Sequence, residues 1–199
     1  MFIYNENLRH LHDDSLDGWY RGEPEPAGRP DDLRQAVLAQ HLCNYKLWHL
    51  EDEVRRTDVD DATVVATKRE IDGWNQRRND LIERIDEAMV TELCDPPPAE
   101  AELHSETVGM IVDRLSILAL KIHHMGLNAT RAGDAELATE CRMKLVVLGK
   151  QRDDLAACLA HLLEDLRRGR RYFKVYRQFK AYNDARLNPA LASDKTARS

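Results

Sequence analysis

The sequence predicts an all-α protein: an antiparallel bundle of about four long helices, with an N-terminal arm and a basic-aromatic C-terminal extension. In four long segments, apolar residues recur every three or four positions, which is the spacing of one helix face. The connections between these segments are short, and short connections favour antiparallel neighbours. No run of alternating apolar and polar residues is long enough to predict a sheet.

Residues 1–31 are expected to form the arm, because segment 22–30 holds three prolines and two glycines that a helix does not tolerate. Asp31 and Asp32 then provide a cap for the first long helix, predicted over 32–57. The second helix is predicted over 61–93 and stops before the three prolines at 96–98. The apolar face of the first helix is Ala36, Ala39, Cys43, Leu47, Leu50 and Val54.

The third helix should begin after 105–107 and run from Val108 to Met125, with an apolar centre at 117–120. The fourth is predicted over 134–168 and ends at Gly169, a residue typical of the position after a helix. The bundle then covers 32–168, and 169–199 is an extension packed on it. Inward residues of the fourth helix are Leu137, Cys141, Leu145, Leu148, Leu155, Leu159, Leu162 and Leu166.

Composition excludes several functional classes. A hydrophobic content of 43% excludes a disordered chain, and a net charge of −6 disfavours a bulk nucleic-acid binder. The sequence contains no uncharged apolar run of about 18 residues, so it predicts no membrane-spanning helix. The first residues do not resemble a secretory signal. The four cysteines show neither a Cys-x-x-Cys motif nor zinc spacing, so we expect a cytoplasmic protein with structural thiols.

Polar side chains on three helices are predicted to lie at similar heights along the bundle axis and to converge there. On the second helix a stripe spans a sector of about 60°, and Arg78 lies within the apolar arc. The stripe consists of Lys68, Asp72, Asn75, Asn79, Glu83 and Asp86. The first helix carries a second arc: His41, Asn44, Trp48, Glu51 and Asp52. The third helix places Asp113, Arg114 and Lys121 in an apolar background.

Two interpretations of these polar residues stay open. In the first, Asp72–Lys121 and Glu83–Arg114 are structural ion pairs that determine the register of the bundle. In the second, the converging residues bind a ligand, as bundle cores often do. The candidate ligand-binding residues of the helices are Asn44, Trp48, Lys68, Asp72, Asn75, Arg78, Asn79, Lys121 and His124.

A magnesium site is a further alternative. The pair Glu83-x-x-Asp86 has the spacing seen in all-α pyrophosphatases, and Glu51 and Asp52 are the candidate partner carboxylates. Glycine-rich phosphate loops, nucleophile elbows and His-Glu-x-x-His motifs are missing from the sequence, so no catalytic residue is predicted.

The segment 167–180 holds seven basic residues, four interleaved aromatic residues and no acidic ones. Such a segment can hold phosphates and stack on rings, which makes Arg177 and Lys180 candidate ligand-binding residues. Alternatively, the basic residues complement the end of the fourth helix and the aromatic rings pack back on the bundle.

Five blocks of sequence resemble a bacterial family catalogued as domain of unknown function 4254. They are NYKLWHLED at 44–52, KREIDGWNQRRND at 68–80, HSET at 104–107, DRLSILALKI at 113–122 and YRQFKAYND at 176–184. The resemblance covers about 35–190. It departs from the family pattern at Val108, where proline is typical, and at Ala181, where methionine is usual. Members of the family are often encoded near glycosyltransferases of cell-envelope polysaccharide synthesis. The resemblance therefore implies this functional setting, but it implies no activity.

Three functions follow as expectations. The first is a binding or accessory protein for an anionic partner, which would be a sugar nucleotide, a phosphorylated ligand or a protein of a glycosyltransferase pathway. The second is a magnesium-dependent hydrolase of nucleotides. The third is a structural module that forms a homodimer through exposed apolar strips of its long helices.

Overall fold

The computed structural model confirms the all-α class and describes residues 3, 6–26, 29–30, 32–93, 97–177 and 186–189. Within these residues, five helices follow in order: α1 Glu6–Tyr20, α2 Leu33–Val54, α3 Asp61–Leu93, α4 Val108–Arg131 and α5 Ala135–Arg167. Two short strands, β1 Glu102–Leu103 and β2 Arg171–Tyr172, pair in parallel. The four predicted long helices are therefore present, and α4 is six residues longer than expected.

Local capping explains where the long helices begin and end. The Asp32 carboxylate accepts a hydrogen bond from the Gln35 amide at 2.7 Å. The Thr107 hydroxyl accepts one from the Met110 amide at 3.2 Å. After α5, Gly169 has a φ of +64°, a left-handed conformation that costs glycine little. These short-range contacts are set by neighbouring residues, so the sequence predicts them well.

Two antiparallel hairpins, α2–α3 and α4–α5, pack together, and α1 lies against α2 and α4. The main core takes apolar side chains from all five helices and from the tail. Its fully buried members include Val37, Ile85, Met89, Val108, Val112 and Leu163. Phe173 of the tail is also buried against this core.

The first half of the arm is a helix that the sequence analysis did not predict. Leu8, Leu11, Leu16 and Trp19 are buried along α1. Their spacing by three and five residues follows one helix face, but intervening acidic residues and the proline-rich segment weakened the signal. The correction matters because α1 brings further side chains to the site.

The first half of α5 was only partly predicted correctly. Leu137 was expected inside, but 49% of its surface is exposed. Met143, Val146 and Val147 are 61%, 74% and 57% exposed. Within the described residues, the element against which α5 packs most extensively is α4, so its outer face is uncovered there. Farther along, Leu159, Leu162 and Leu166 are buried as predicted.

The short strand pair ties the start of the C-terminal extension to the loop before α4. The Glu102 amide donates to the Arg170 carbonyl at 2.9 Å, and the His104 amide donates to the Tyr172 carbonyl at 2.8 Å. No sheet is predicted from the sequence, because pairing between two-residue segments so far apart leaves no local pattern.

Candidate functional site

Helices α2, α3 and α4 bring six polar side chains together in the interior. Of these, Gln40, His41, Asn44 and Ser116 are each at most 4% exposed. Arg78 and Asp113 are partly buried beside them. We call this set the buried polar network: Gln40, His41, Asn44, Arg78, Asp113 and Ser116.

Asp113 is the acceptor on which one side of the network converges. Its Oδ1 accepts from Gln40 Nε2 at 2.5 Å and from Asn44 Nδ2 at 2.9 Å. Arg78 Nε lies 3.9 Å from the same oxygen, and Arg78 Nη1 lies 3.4 Å from Asn44 Oδ1. Burial raises the pKa of Asp113, while the amide donors and Arg78 oppose that shift.

Ser116 joins the other side of the network. Its Oγ lies 2.9 Å from Asn44 Nδ2 and 2.7 Å from His41 Nδ1. His41 Nε2 lies 3.1 Å from the carbonyl oxygen of His12. A carbonyl only accepts, so His41 carries its proton on Nε2 and accepts the serine hydroxyl on Nδ1. Burial lowers the pKa of His41 to about 3, which keeps the ring neutral.

One turn farther along α2 lies a second group, which we call the histidine–aromatic cluster: Tyr20, Tyr45, Trp48, His49, His123 and His124. The Tyr20 hydroxyl lies 2.7 Å from His124 Nε2 and 3.1 Å from His49 Nε2. His124 stacks on Trp48 with ring centroids 4.4 Å apart, and His123 stacks on Tyr20 at the same distance. The cluster is thus held by α1, α2 and α4 together.

The histidines of this cluster are neutral at pH 7. Burial lowers the pKa of His124 to about 4, and the neighbouring His123 and His49 add to the shift. Burial also lowers the pKa of His49 and of His123. Burial raises the pKa of Tyr20 above its usual value, so its hydroxyl stays protonated and bridges two imidazoles.

Beside this cluster, α4 and α5 form an open cavity of about 520 Å³, which we call the α4–α5 cleft. Its lining includes Trp48, Lys121, His124, Met143, Lys144 and Val147. The volume lies within the range of small-molecule sites, about 300–1,000 Å³. Lys144 pairs with Glu140 at 2.5 Å. The described residues provide Lys121 with no acidic partner within salt-bridge distance.

The structure separates the predicted ligand residues into groups. Trp48, Lys121 and His124 line the cleft, and Asn44 and Arg78 belong to the buried polar network. Lys68 and Asp72 are exposed on α3, whereas Asn75 and Asn79 are half-buried there. Lys180 lies outside the described residues.

Both predicted ion pairs are wrong. Lys121 is exposed and makes no ion pair with Asp72, because the register of the helices places Lys121 against the cleft. Arg114 pairs instead with Glu106 at 2.6 Å, at the start of its own helix. Glu83 lies 3.3 Å from Arg177.

The predicted magnesium site does not form in the described residues. In the α2–α3 hairpin, Glu51 and Asp52 lie beside the start of α3, about 27 Å along the axis from Glu83 at 1.5 Å per residue. Asp86 is buried and accepts from the Gly109 amide at 2.6 Å. No group of three or more His, Cys, Asp or Glu side chains in the described part of the chain could hold a metal.

The described part of the basic tail is largely paired with acidic side chains. Arg170 and Arg171 lie 2.5 and 3.5 Å from Asp165. Arg177 contacts Glu83 and Glu87 of α3. This arrangement matches the alternative in which the tail packs on the bundle, and it does not bring Arg177 to the cleft.

Sequence reasoning missed several residues of the site, among them Tyr20, His49, Met143 and Lys144. Tyr20 was missed because α1 was not predicted. His49 stands next to Trp48 within one of the quoted blocks, which was an available signal. Met143 and Lys144 carry no motif, and only the packing of α5 on α4 places them at the cleft.

A family model described as Protein of unknown function (DUF4254) matches residues 34–175, which is well over half of the chain. Neither a curated protein nor a solved structure matches the chain. In the described residues, no helix is both long enough and apolar enough to cross a membrane. The matched range contains the cleft and the buried polar network, but it begins after α1.

Proposed function

The chain belongs to the DUF4254 family, and we propose that it is a binding protein whose α4–α5 cleft takes an anionic ligand with a flat apolar body. The observation that carries the proposal is an exposed Lys121 ammonium, without an acidic partner in the described residues, beside an apolar cavity. A lysine in this position attracts anions, and the cavity walls favour an apolar group.

The charged side chains around the cleft favour an anionic ligand. Arg131 is close enough to His124 to lower the pKa of that histidine further. Lys144 lines the opposite side, although Glu140 partly neutralises it. Asp52 raises the pKa of His124. Charges of both signs therefore surround the cleft, with an excess of positive charge near Lys121.

The apolar side chains that line the cleft favour a planar group on the same ligand. Trp48 is half-buried and already stacks on His124, which holds its indole ring in place. Met143 and Val147 provide the apolar wall contributed by α5. A planar ring packed between such side chains gains both buried area and stacking energy, about 1–3 kcal/mol per stacked base.

Phosphorylated ligands combine these two properties, and sugar nucleotides are the members of the class to test first. We further propose a cytoplasmic setting, where Cys43 and Cys141 stay unpaired as buried thiols. There the protein would serve envelope polysaccharide synthesis, alone or with a glycosyltransferase-pathway protein.

Thermal unfolding tests the proposal with UDP-glucose, GDP-mannose, UDP and uridine as probes. A nucleotide at 100 times its Kd should raise Tm by roughly 5–10 °C, because it binds only the native state. Uridine lacks the phosphates and should give a much smaller shift. Lys121→Met should abolish the nucleotide shift, whereas the matched control Lys68→Met, at an exposed position on α3, should keep it.

Two outcomes would contradict the proposal. One is the absence of a shift with every nucleotide. The other is an equal loss of the shift in the Lys121 and Lys68 variants, which would indicate nonspecific attraction of anions.

A second candidate function is self-association through the outer face of α5. We infer it from Met143, Val146 and Val147, which lie within about 100° of one another around α5 and are 57–74% exposed. If two copies of α5 pair antiparallel about residue 145, Glu140 of one copy faces Lys150 of the other, as a two-fold interface requires. Light scattering should give a dimer mass that Val146→Glu abolishes. Val65→Glu, at an exposed valine of α3, is the control.

A further inference from the structure

A smaller pocket lies between α1, α4 and α5, on residues that the α4–α5 cleft does not use. Its volume is about 220 Å³. Its apolar walls are formed by Leu8, Leu115, Ala156, Ala157 and Leu159, and the polar members of the lining are Arg9, His12, Arg152 and Asp153.

His12 is the unusual residue of this pocket. It is 1% exposed, yet neither ring nitrogen has a hydrogen-bond partner within the described part of the chain. A buried polar group without a partner costs about 1–3 kcal/mol, so such groups are rare in native proteins. The backbone carbonyl of His12 is bonded to His41, and the two rings pack 4.4 Å apart. The His12 ring therefore packs against His41 on one side, while its two nitrogens make no hydrogen bond within the described residues.

Charged groups around the pocket already pair with one another. Arg152 is 4% exposed and lies 2.9 Å from an oxygen of Asp13. Arg9 lies 2.5 Å from Asp153. Burial, with His41 and Arg152, holds the pKa of His12 well below its usual range, so the ring is neutral. An anion or a cation would upset this balance, whereas an uncharged ligand would leave it intact.

We infer that this pocket binds a small uncharged molecule with an apolar body and one hydroxyl, carbonyl or amide group, which hydrogen-bonds to His12. Engineered apolar cavities of about 150 Å³ admit benzene, so a cavity of this volume admits a substituted ring. Ordered water is the competing occupant. The charged lining residues Arg9, Arg152 and Asp153 are already ion-paired, however, so they offer water fewer free partners than the unpartnered His12 ring does.

The probes are phenol and toluene, which share a ring and differ in the hydroxyl group, and benzoate, which carries a charge. Titration calorimetry on the full chain should show phenol binding about tenfold more tightly than toluene, the difference expected for satisfying one buried donor or acceptor. Benzoate should bind more weakly than phenol.

Three variants assign the effect to the pocket. His12→Phe removes the ring nitrogens at similar volume, so phenol should lose its advantage over toluene. Ala156→Leu fills the pocket and should weaken both probes. His161→Phe, at an exposed histidine of α5, is the matched control and should behave as the unmodified chain. His12→Phe should fold, because replacing an unpartnered polar group with an apolar one is nearly neutral.

Several outcomes would overturn the inference. They are no binding of phenol, equal binding of phenol and toluene by the unmodified chain, or a crystal structure grown with phenol that shows only water at His12. If His12→Phe fails to fold, Ala156→Leu still decides, because unchanged phenol affinity in that variant would place binding elsewhere. The test does not involve Lys121, so this site and the α4–α5 cleft can fail separately.

Discussion

The buried polar network and the α4–α5 cleft share helices α2 and α4, where they lie one to two turns apart, but their polar groups are satisfied in different ways. Asn44 and Ser116 of the network are buried and hydrogen-bonded to each other. Trp48 follows Asn44 by one turn of α2, and Lys121 follows Ser116 by five residues of α4. There the Lys121 ammonium lies beside an apolar cavity without an acidic partner among the described residues.

This difference separates a structural role from a binding role. In the network most donors and acceptors already have partners, so a ligand would have to break existing hydrogen bonds. In the cleft, the Lys121 side chain is exposed, so a ligand can reach it without breaking an ion pair of the described residues. Variants of the network should therefore change the free energy of unfolding, and variants of the cleft should change ligand binding.

The largest expected effect is that of Asp113→Ala. Removal of the carboxylate leaves the buried donors of Gln40 and Asn44, and the guanidinium of Arg78, without their acceptor. Breaking such a buried set should lower the free energy of unfolding by about 3–5 kcal/mol, measured by urea unfolding. The control Asp72→Ala, at an exposed position, should change it by less than about 0.5 kcal/mol. Equal effects of the two variants would contradict the structural role of the network.

Acidification should be the next largest effect, because both regions hold neutral histidines. The unfolded chain takes up protons at a pKa near 6.5, whereas folded His41 and His124 do so only near 3 and 4. Stability therefore falls as pH falls below 6.5, by about 2 kcal/mol between pH 7 and pH 5 for a fully buried histidine. Asp86, whose pKa burial raises to about 6, offsets part of this loss between pH 6 and pH 3.8. A folded His41 that titrates near pH 6.5 by NMR would disprove this account.

A pair of hydroxyl deletions sharpens the comparison. Ser116→Ala and Tyr20→Phe each remove a hydroxyl that bridges two side chains. Ser116 is fully buried, so its loss should cost about 2 kcal/mol. Tyr20 is 37% exposed, so water can replace its hydroxyl and the cost should be about 1 kcal/mol or less. Chemical unfolding measures both, and the reverse order would mean that exposure does not separate the two regions.

The smallest expected effect concerns Lys121. Without ligand, Lys121→Met should change the free energy of unfolding by less than about 0.5 kcal/mol, because Lys121 makes no ion pair within the described part of the chain. Combining it with Asp72→Leu should give additive effects within about 0.3–0.5 kcal/mol, as for residues not in contact. A coupling energy of several kcal/mol in this double-mutant cycle would restore the ion pair that the structure lacks.

The helices could be predicted from the sequence because their signals are local. Apolar spacing and capping residues predicted α3 to the residue and the ends of α5 to within one. The site was only partly predictable. Trp48, Lys121 and His124 were chosen as candidates, but they were assigned to one cluster with Asp72 and Asn75. Counting residues from the turn of a hairpin estimates which residues lie at the same height along the bundle axis, but it does not give the rotation of each helix about its own axis. In the structure, that rotation places the cleft and the polar stripe of α3 on different sides.

Composition, apolar periodicity and the quoted blocks were enough to determine the helical class, the four long helices and the family, since each depends on residues close together in the chain. Tertiary structure alone decided which polar residues meet. It set Asp113 against Asn44 and left Lys121 facing solvent. It also added Tyr20 and His12 from a helix that was not predicted. The physical reason is that a side chain's partners depend on the rotation and register of packed helices, which no single helix encodes.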